Sequence, residues 1–76
     1  MTNAEIKAII KTHSYEEILG IIESYIHSAR DREIAKRAIL DNDHYEPLAA
    51  EYELSSRHVG NIVRDAHKII IAHICT

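Results

Sequence analysis

Six histidines in 76 residues make metal binding the first chemistry to test in this sequence. Zinc ligands on one helix need a spacing of four residues, or a CxxC pair close by. His58, His67 and His73 instead alternate between opposite faces of a helix at 3.6 residues per turn. Cys75 is the single cysteine and has no cysteine partner. We therefore predict no metal site and no cofactor.

Paired carboxylates are a second possible source of chemistry. Helix capping and surface solvation account for the acidic residues Glu16, Glu17, Glu23, Asp41 and Asp43. The sequence contains no glycine-rich phosphate loop, no nucleophile elbow and no Cys–His pairing typical of a catalytic site. We predict that the chain is not an enzyme.

The chain becomes locally basic after residue 55, where Asp65 is the only acidic residue. The outward positions predicted in this segment are Ser56, Arg57, His58, Gly60, Asn61, Arg64 and Lys68. The whole chain has 9 Lys and Arg against 12 Asp and Glu, a net charge of −3. Because nucleic-acid-binding domains are usually basic, the local and overall charges favour different partners.

A second group of cations is formed by Arg30, Arg32, Lys36 and Arg37. One interpretation is a solvated helix face, on which Asp31 and Glu33 form pairs with cations four residues away. The other is contact with nucleic-acid phosphates beside a recognition helix. The first interpretation is slightly favoured, and the sequence leaves both open.

Apolar residues recur at helical spacing along the chain, which contains only two glycines and one proline. We predict an all-α domain of four to five helices spanning residues 1–76, with N-terminal helices in 1–43 and a helix-turn-helix in 44–76. The predicted N-terminal helices cover residues 3–11, 15–27 and 29–40. Their predicted caps are Asn3, Ser14 (in a capping box with Glu17) and Ser28, and Asn42 ends the third in a left-handed conformation.

Residues 44–74 fit a short helix, a tight turn and a long last helix. Pro47 suits the first turn of the short helix, and Ser55 is a strong N-cap for the long one. Leu54 occupies the angle between the helices, and the small Ala49 permits a close crossing. These are the requirements of a helix-turn-helix.

The segment resembles the helix-turn-helix of region four of bacterial sigma factors and of short phage-type proteins related to it. The matching positions are Tyr45, Leu48, Ala49, Tyr52, Leu54, Ser55, Val59 and Ile62. Glu53 stands where that family usually has glycine, often at positive φ, so we expect either strain of about 1–2 kcal/mol or a differently shaped turn. Gly60 replaces a long polar residue that the family often has on its DNA-facing side.

The resemblance implies sequence-specific binding of double-stranded DNA in transcription regulation, in a bacterium or a phage. Arg57 then suits guanine and Asn61 adenine, while Arg64 and Lys68 suit phosphates. The alternative is a protein-interaction module on the same fold, which binds RNA polymerase or another phage or host protein without binding DNA. The net charge and Gly60 favour this alternative.

No apolar stretch approaches the roughly 20 residues that span a bilayer, and the N-terminus lacks a signal-peptide pattern. With a lone cysteine, Cys75, we expect a cytoplasmic protein without membrane partners. Surplus apolar surface on the second helix and on residues 69–74 predicts a homodimer, because a chain of this length cannot bury it all.

Overall fold

A computed structural model describes residues 2–74, and Cys75 lies outside these described residues. The chain forms five α-helices with no strand among residues 2–74, which confirms the all-α prediction. The helices are α1 (Asn3–Lys11), α2 (Tyr15–Tyr25), α3 (Ala29–Ala35), α4 (Tyr45–Glu51) and α5 (Ser56–Ile74). A π-helical turn, Lys36–Leu40, extends α3.

Side-chain caps begin the first three helices, although not all as predicted. The predicted cap Asn3 is wrong: Thr2 caps α1, because its Oγ1 accepts from the Glu5 N–H at 3.2 Å. The Glu5 carboxylate accepts from the Thr2 N–H in return, which completes a capping box. Hydrogen bonds to both Thr2 groups lower the pKa of Glu5.

Ser14 caps α2 as predicted, since its Oγ accepts from the Glu17 N–H at 3.1 Å. The second half of the predicted capping box is absent within the described residues. The Glu17 carboxylate turns instead to the His13 ring, one helical turn back. Ser28 caps α3 by accepting from the Asp31 N–H at 3.3 Å.

The end of α2 lies two residues before the predicted His27. Ile26 leaves the helix with an extended backbone (φ −103°, ψ 113°), which turns its buried side chain into the core. Arg32 then donates through Nη1 to the Ile26 carbonyl at 2.8 Å and to the His27 carbonyl at 3.2 Å. A cation from α3 thereby satisfies carbonyls that the α2 terminus leaves without helical partners.

The π-helical turn widens the end of the third helix by one residue. The Asp41 N–H donates to the Lys36 carbonyl, and the Asp43 N–H donates to the Arg37 carbonyl at 2.9 Å. Asn42 has the predicted left-handed conformation, with φ 58°. The arrangement resembles a Schellman motif, but its long hydrogen bond spans six residues instead of five because the π-helical turn is one residue wider.

Two hydrophobic clusters pack along opposite ends of α5. The first cluster joins α1, α2, the last residue of α3 and the second half of α5, and its buried residues are Ile10, Ile18, Ile22, Ile26, Ala35, Ala66 and Ile70. The second joins α3, α4 and the first half of α5, and its buried residues are Ile34, Leu48, Ala49, Val59, Ile62 and Val63. Ile39 packs against both clusters, so the core is continuous.

A Schellman motif connects α4 to α5. The Leu54 N–H donates to the Ala49 carbonyl at 2.8 Å, and the Glu53 N–H donates to the Ala50 carbonyl at 3.3 Å. Glu53 occupies the left-handed position, with φ 56°, where such motifs usually have glycine. Leu54 follows and packs against the second cluster. The turn therefore places a strained glutamate at a position that suits glycine.

Glu53→Gly should therefore stabilise the fold by about 1 kcal/mol, because glycine adopts φ near 56° without a Cβ clash. Urea denaturation followed by circular dichroism measures the change. Ala50→Gly is the control: the residue is helical and exposed, so this change should destabilise by about 1 kcal/mol. Equal destabilisation by both changes would contradict the assignment of strain to Glu53.

Candidate nucleic-acid interface

The first turn of α5 is fixed by the Schellman motif before it and by Ser55. The Ser55 Oγ accepts from the His58 N–H at 3.0 Å, and its carbonyl accepts from the Val59 N–H at 3.1 Å. This confirms the predicted N-cap. The remaining free N–H groups at this end, together with the helix dipole, favour an anion in front of the helix.

The buried face of α5 is held by both clusters, which fixes the direction of the opposite face. The residues buried on α5 are Val59, Ile62, Val63, Ala66, His67 and Ile70. Arg57, Asn61, Arg64 and Lys68 are all exposed and follow one another at intervals of four, three and four residues. At 100° per residue these four side chains form one stripe, opposite the buried face. We call them the α5 stripe.

The stripe carries positive charge that is not used elsewhere in residues 2–74. Arg57, Arg64 and Lys68 form no ion pair with any other described residue, whereas each of the six ion pairs present involves His13, Arg30, Lys36 or Arg37. Asp65 is exposed on the neighbouring side of the helix. The stripe is roughly 16 Å long at 1.5 Å per residue, which matches several phosphate spacings of a duplex.

Three other predicted site residues lie beside the stripe. Ser56 and His58 are exposed in the first turn of α5, as expected. The predicted outward position of Gly60 is wrong: the residue is partly buried, because it faces the Tyr45 ring of α4. A Cβ built at Gly60 would lie 3.8 Å from that ring, an ordinary contact distance. The departure from the family pattern at this position therefore concerns packing between α4 and α5.

The second group of cations is largely engaged within the fold. Lys36 binds Glu33 at 3.1 Å and Glu23 of α2 at 3.2 Å, and these carboxylates raise its pKa. Arg37 pairs with Glu51 of α4 and with Asp43 at 3.0 Å. The Glu51 and Asp43 carboxylates raise the pKa of Arg37.

The remaining two cations follow the same pattern, since Arg30 binds Asp31 at 3.1 Å and Arg32 caps α2. Hydrogen-bonded ion pairs thus account for this surface better than phosphate contacts do. The carboxylate partners of these cations are not four residues away in sequence, as predicted. Lys36 and Arg37 instead reach carboxylates on other helices, which no local sequence pattern indicates.

Exposed acidic residues occur on α4, in the turn and on α5. Glu46 and Glu53 are exposed, and Glu51 is held by Arg37. Asp65 adds a further carboxylate on α5. On α5 itself, the stripe is therefore a narrow band of positive charge with the carboxylate of Asp65 beside it. Such a band suits a ligand that approaches along α5 and contacts little else.

Sequence reasoning did not identify His67 as part of the core. His67 is 7% exposed, the only buried polar side chain among the described residues. Burial first, and then the positive charge of Lys7, lowers its pKa, so the imidazole is neutral at pH 7. The spacing of four residues from Val63 and three from Ile70 would have placed it on the buried face.

Among the described residues no group of three or more His, Cys, Asp or Glu is arranged to hold a metal ion. No helix within residues 2–74 has the length and apolar character needed to cross a membrane. Comparison with protein-family models, curated proteins and solved structures finds no match to this chain. Functional inference therefore depends on the geometry of the helix-turn-helix and on the sequence resemblance.

Proposed function

We propose that this chain is a sequence-specific DNA-binding protein that places the first half of α5 in the major groove of double-stranded DNA. The observation that carries the proposal is the α5 stripe. It consists of three cations without ion-pair partners in residues 2–74 and one amide, all exposed along one line that begins just after the turn. The role that follows is transcription regulation of the sigma-region-four type, in a bacterium or a phage.

Dimensions support this placement of α5. The major groove is about 12 Å wide and admits one α-helix of about 10–12 Å diameter with its side chains. The helix has 19 residues, and the first cluster covers only its second half. Its N-terminal half packs on α3 and α4 and leaves the stripe free in the part of the chain that the structure describes.

The stripe divides into two pairs of residues with different roles. Arg57 and Asn61 lie nearest the N-terminus of α5, where recognition helices contact base edges. A guanidinium pairs with the O6 and N7 of guanine, and an amide pairs with the N6 and N7 of adenine. Arg64 and Lys68 lie one and two turns further on, where the groove walls present phosphates.

Ser56 and His58 support the contact from the first helical turn. The Ser56 hydroxyl and the N–H groups beside it suit a phosphate oxygen in front of the helix. His58 is exposed in the same turn, and its ring nitrogens can hydrogen-bond to a phosphate or a base edge. Gly60 lies beside Tyr45 and has no side chain to offer the DNA.

The net charge of −3 lowers the expected affinity for DNA but does not prevent α5 from contacting it. Only about two to four phosphate contacts per subunit are available, since most other cations are used within the fold. We therefore propose that two copies bind together, because a homodimer doubles the number of contacts on a two-fold symmetric site.

The surface offers limited apolar area for such a dimer. Ile69 and Ile74, predicted as surplus, pack against the first cluster, and Ile70 is fully buried. Within residues 2–74, the large apolar side chains that remain exposed are Tyr15, Tyr25 and Tyr45. Tyr25 stacks on His73 with ring centroids 3.7 Å apart, so α2 and the end of α5 present one aromatic surface. This surface is where we place the dimer contact.

A second function has its own supporting observation. The exposed carboxylate of Asp65 lies beside the stripe on α5, and the exposed Glu53 lies in the turn just before α5, so both would repel phosphates there. A basic protein surface would instead be attracted to them. The alternative proposal is a protein-interaction module that uses the same fold to bind RNA polymerase or another phage or host protein.

Variants of the stripe distinguish these functions when fluorescence anisotropy measures binding to a labelled duplex selected from random sequences. Arg57→Ala or Asn61→Ala should cost about 1–3 kcal/mol on the selected site and much less on random DNA. Arg64→Ala or Lys68→Ala should weaken binding to every sequence alike and flatten the salt slope by about one unit each.

Arg30→Ala is the matched control for loss of one exposed cation, because Arg30 lies outside α5. Its affinity should equal that of the unchanged protein. If no duplex binds at low salt, or if Arg30→Ala weakens binding as much as Arg64→Ala does, the DNA proposal fails. The protein-interaction proposal then takes its place.

Sedimentation at micromolar concentration tests the dimer, which should dissociate on dilution. Tyr25→Glu should shift the equilibrium to monomer, because it places a carboxylate in an aromatic contact. The matched variant Tyr15→Glu, on an equally exposed tyrosine of the same helix, should leave it unchanged. A protein that is monomeric at every concentration measured would contradict the dimer. It would not affect the DNA proposal, which the anisotropy measurements test separately.

A further inference from the structure

A large cleft lies on the side of α5 away from the stripe. Its volume is about 1000 Å³, at the upper end of the range for small-molecule sites. The second half of α1 and the first halves of α2 and α4 border it, together with the π-helical turn, the connector before α4 and part of α5. Its apolar lining includes Ile10, Ile18, Ile39 and Val63. Neither the fold nor the proposed DNA contact requires an opening of this size.

His67 lines this cleft and is the buried polar side chain that the DNA proposal does not use. The His67 ring forms no hydrogen bond with any residue in 2–74. Every fully buried side-chain nitrogen or oxygen in that range has a hydrogen-bond partner, so the His67 ring nitrogens are not fully buried. The ring nitrogens must therefore keep access to solvent, and the cleft supplies it. A neutral imidazole offers one N–H donor and one acceptor. Because His67 lines the cleft, either group is available to a ligand bound there.

Two lysines supply the charge at this site. Lys7 and Lys11 are four residues apart on α1, so both lie on the side that borders the cleft. Both are exposed and form no ion pair with a described residue. Two lysines at this spacing can hold one carboxylate between them.

The other ionisable groups at the cleft do not cancel this charge. Asp43 is held by Arg37 at 3.0 Å, and His13 is paired with Glu17. Glu46 is the one lining carboxylate without an ion-pair partner in residues 2–74. His44, two residues before Glu46, also lines the cleft. Lys7 and Lys11 on α1 are therefore the lining cations without a carboxylate partner in residues 2–74, whereas the lining carboxylates lie on the connector and on α4, so an anionic group is favoured at the α1 end of the cleft.

We propose that the cleft binds a small organic carboxylate with a flat apolar body. The carboxylate contacts Lys7 and Lys11, the body lies against Ile10 and Val63, and a polar atom of the body bonds to His67. Tyr15 and Tyr45 line the same cleft and offer ring faces to a planar group. This proposal concerns a different surface from the α5 stripe and does not depend on DNA binding.

Binding of the naphthoate anion to the full chain tests the proposal, with neutral naphthamide as the matched probe. Amide chemical shifts from ¹⁵N-labelled protein should change saturably around Lys7, Lys11 and His67, with a dissociation constant on the order of 0.1–1 mM. Naphthamide should bind at least about tenfold more weakly, because it lacks the charge.

Variants then assign the contacts. Lys7→Gln and Lys11→Gln should each weaken naphthoate binding several-fold without affecting naphthamide. His67→Phe should weaken both probes, since it keeps the ring and removes the hydrogen-bonding nitrogens. If His67→Phe does not fold, the proposal is tested by the loss of naphthoate affinity in Lys7→Gln and Lys11→Gln alone. Arg30→Gln, which removes a cation outside the cleft, should leave both affinities unchanged.

Three results would overturn the proposal. The first is no saturable change at millimolar naphthoate, and the second is equal affinity for naphthoate and naphthamide, which would indicate an apolar surface only. The third is sedimentation showing that a second copy of the chain covers the cleft and competes with the probe. None of these results bears on DNA binding, which is measured without either probe.

Discussion

The packing of both hydrophobic clusters on one long helix is the constraint on which the rest of the structure depends. α5 contributes buried residues to both clusters along its length, through Val59 and Val63 at one end and Ile70 at the other, whereas α3 contributes one residue to each, Ile34 and Ala35. Each cluster fixes the rotation of the helix about its axis. The side opposite the core is thereby fixed as well, and the α5 stripe is held in place without any contact of its own.

The distribution of charge follows from the same arrangement. Short helices in a small domain need help at their ends and between one another, and this chain uses arginine and lysine for that purpose. Arg32 closes α2, Lys36 joins α3 to α2, and Arg37 joins the third helix to α4. The net charge of −3 is therefore a poor guide to the surface of α5, where the cations have no such use within residues 2–74.

Local physics made much of this fold predictable, and tertiary contacts explain what was missed. Helical spacing and the caps Ser14, Ser28 and Ser55 located the helices, because those interactions lie within a few residues in sequence. The cap of α1 was missed by one residue, since Asn3 and Thr2 are both good caps. The position of Gly60 beside Tyr45, the pairing of Lys36 with Glu23 and the cleft at His67 depend on how helices cross. Periodicity within one helix carries no information on such crossings.

The most direct test of the central claim is a map of amide chemical shifts as a duplex is added at low salt. DNA binding by α5 predicts changes concentrated between residues 55 and 68, at the exposed positions of the first half of the helix. The exposed amides of α1 and α2 should remain unchanged apart from any dimer contact. Changes confined to other helices, or no change at any duplex concentration, would contradict the claim that the α5 stripe binds DNA.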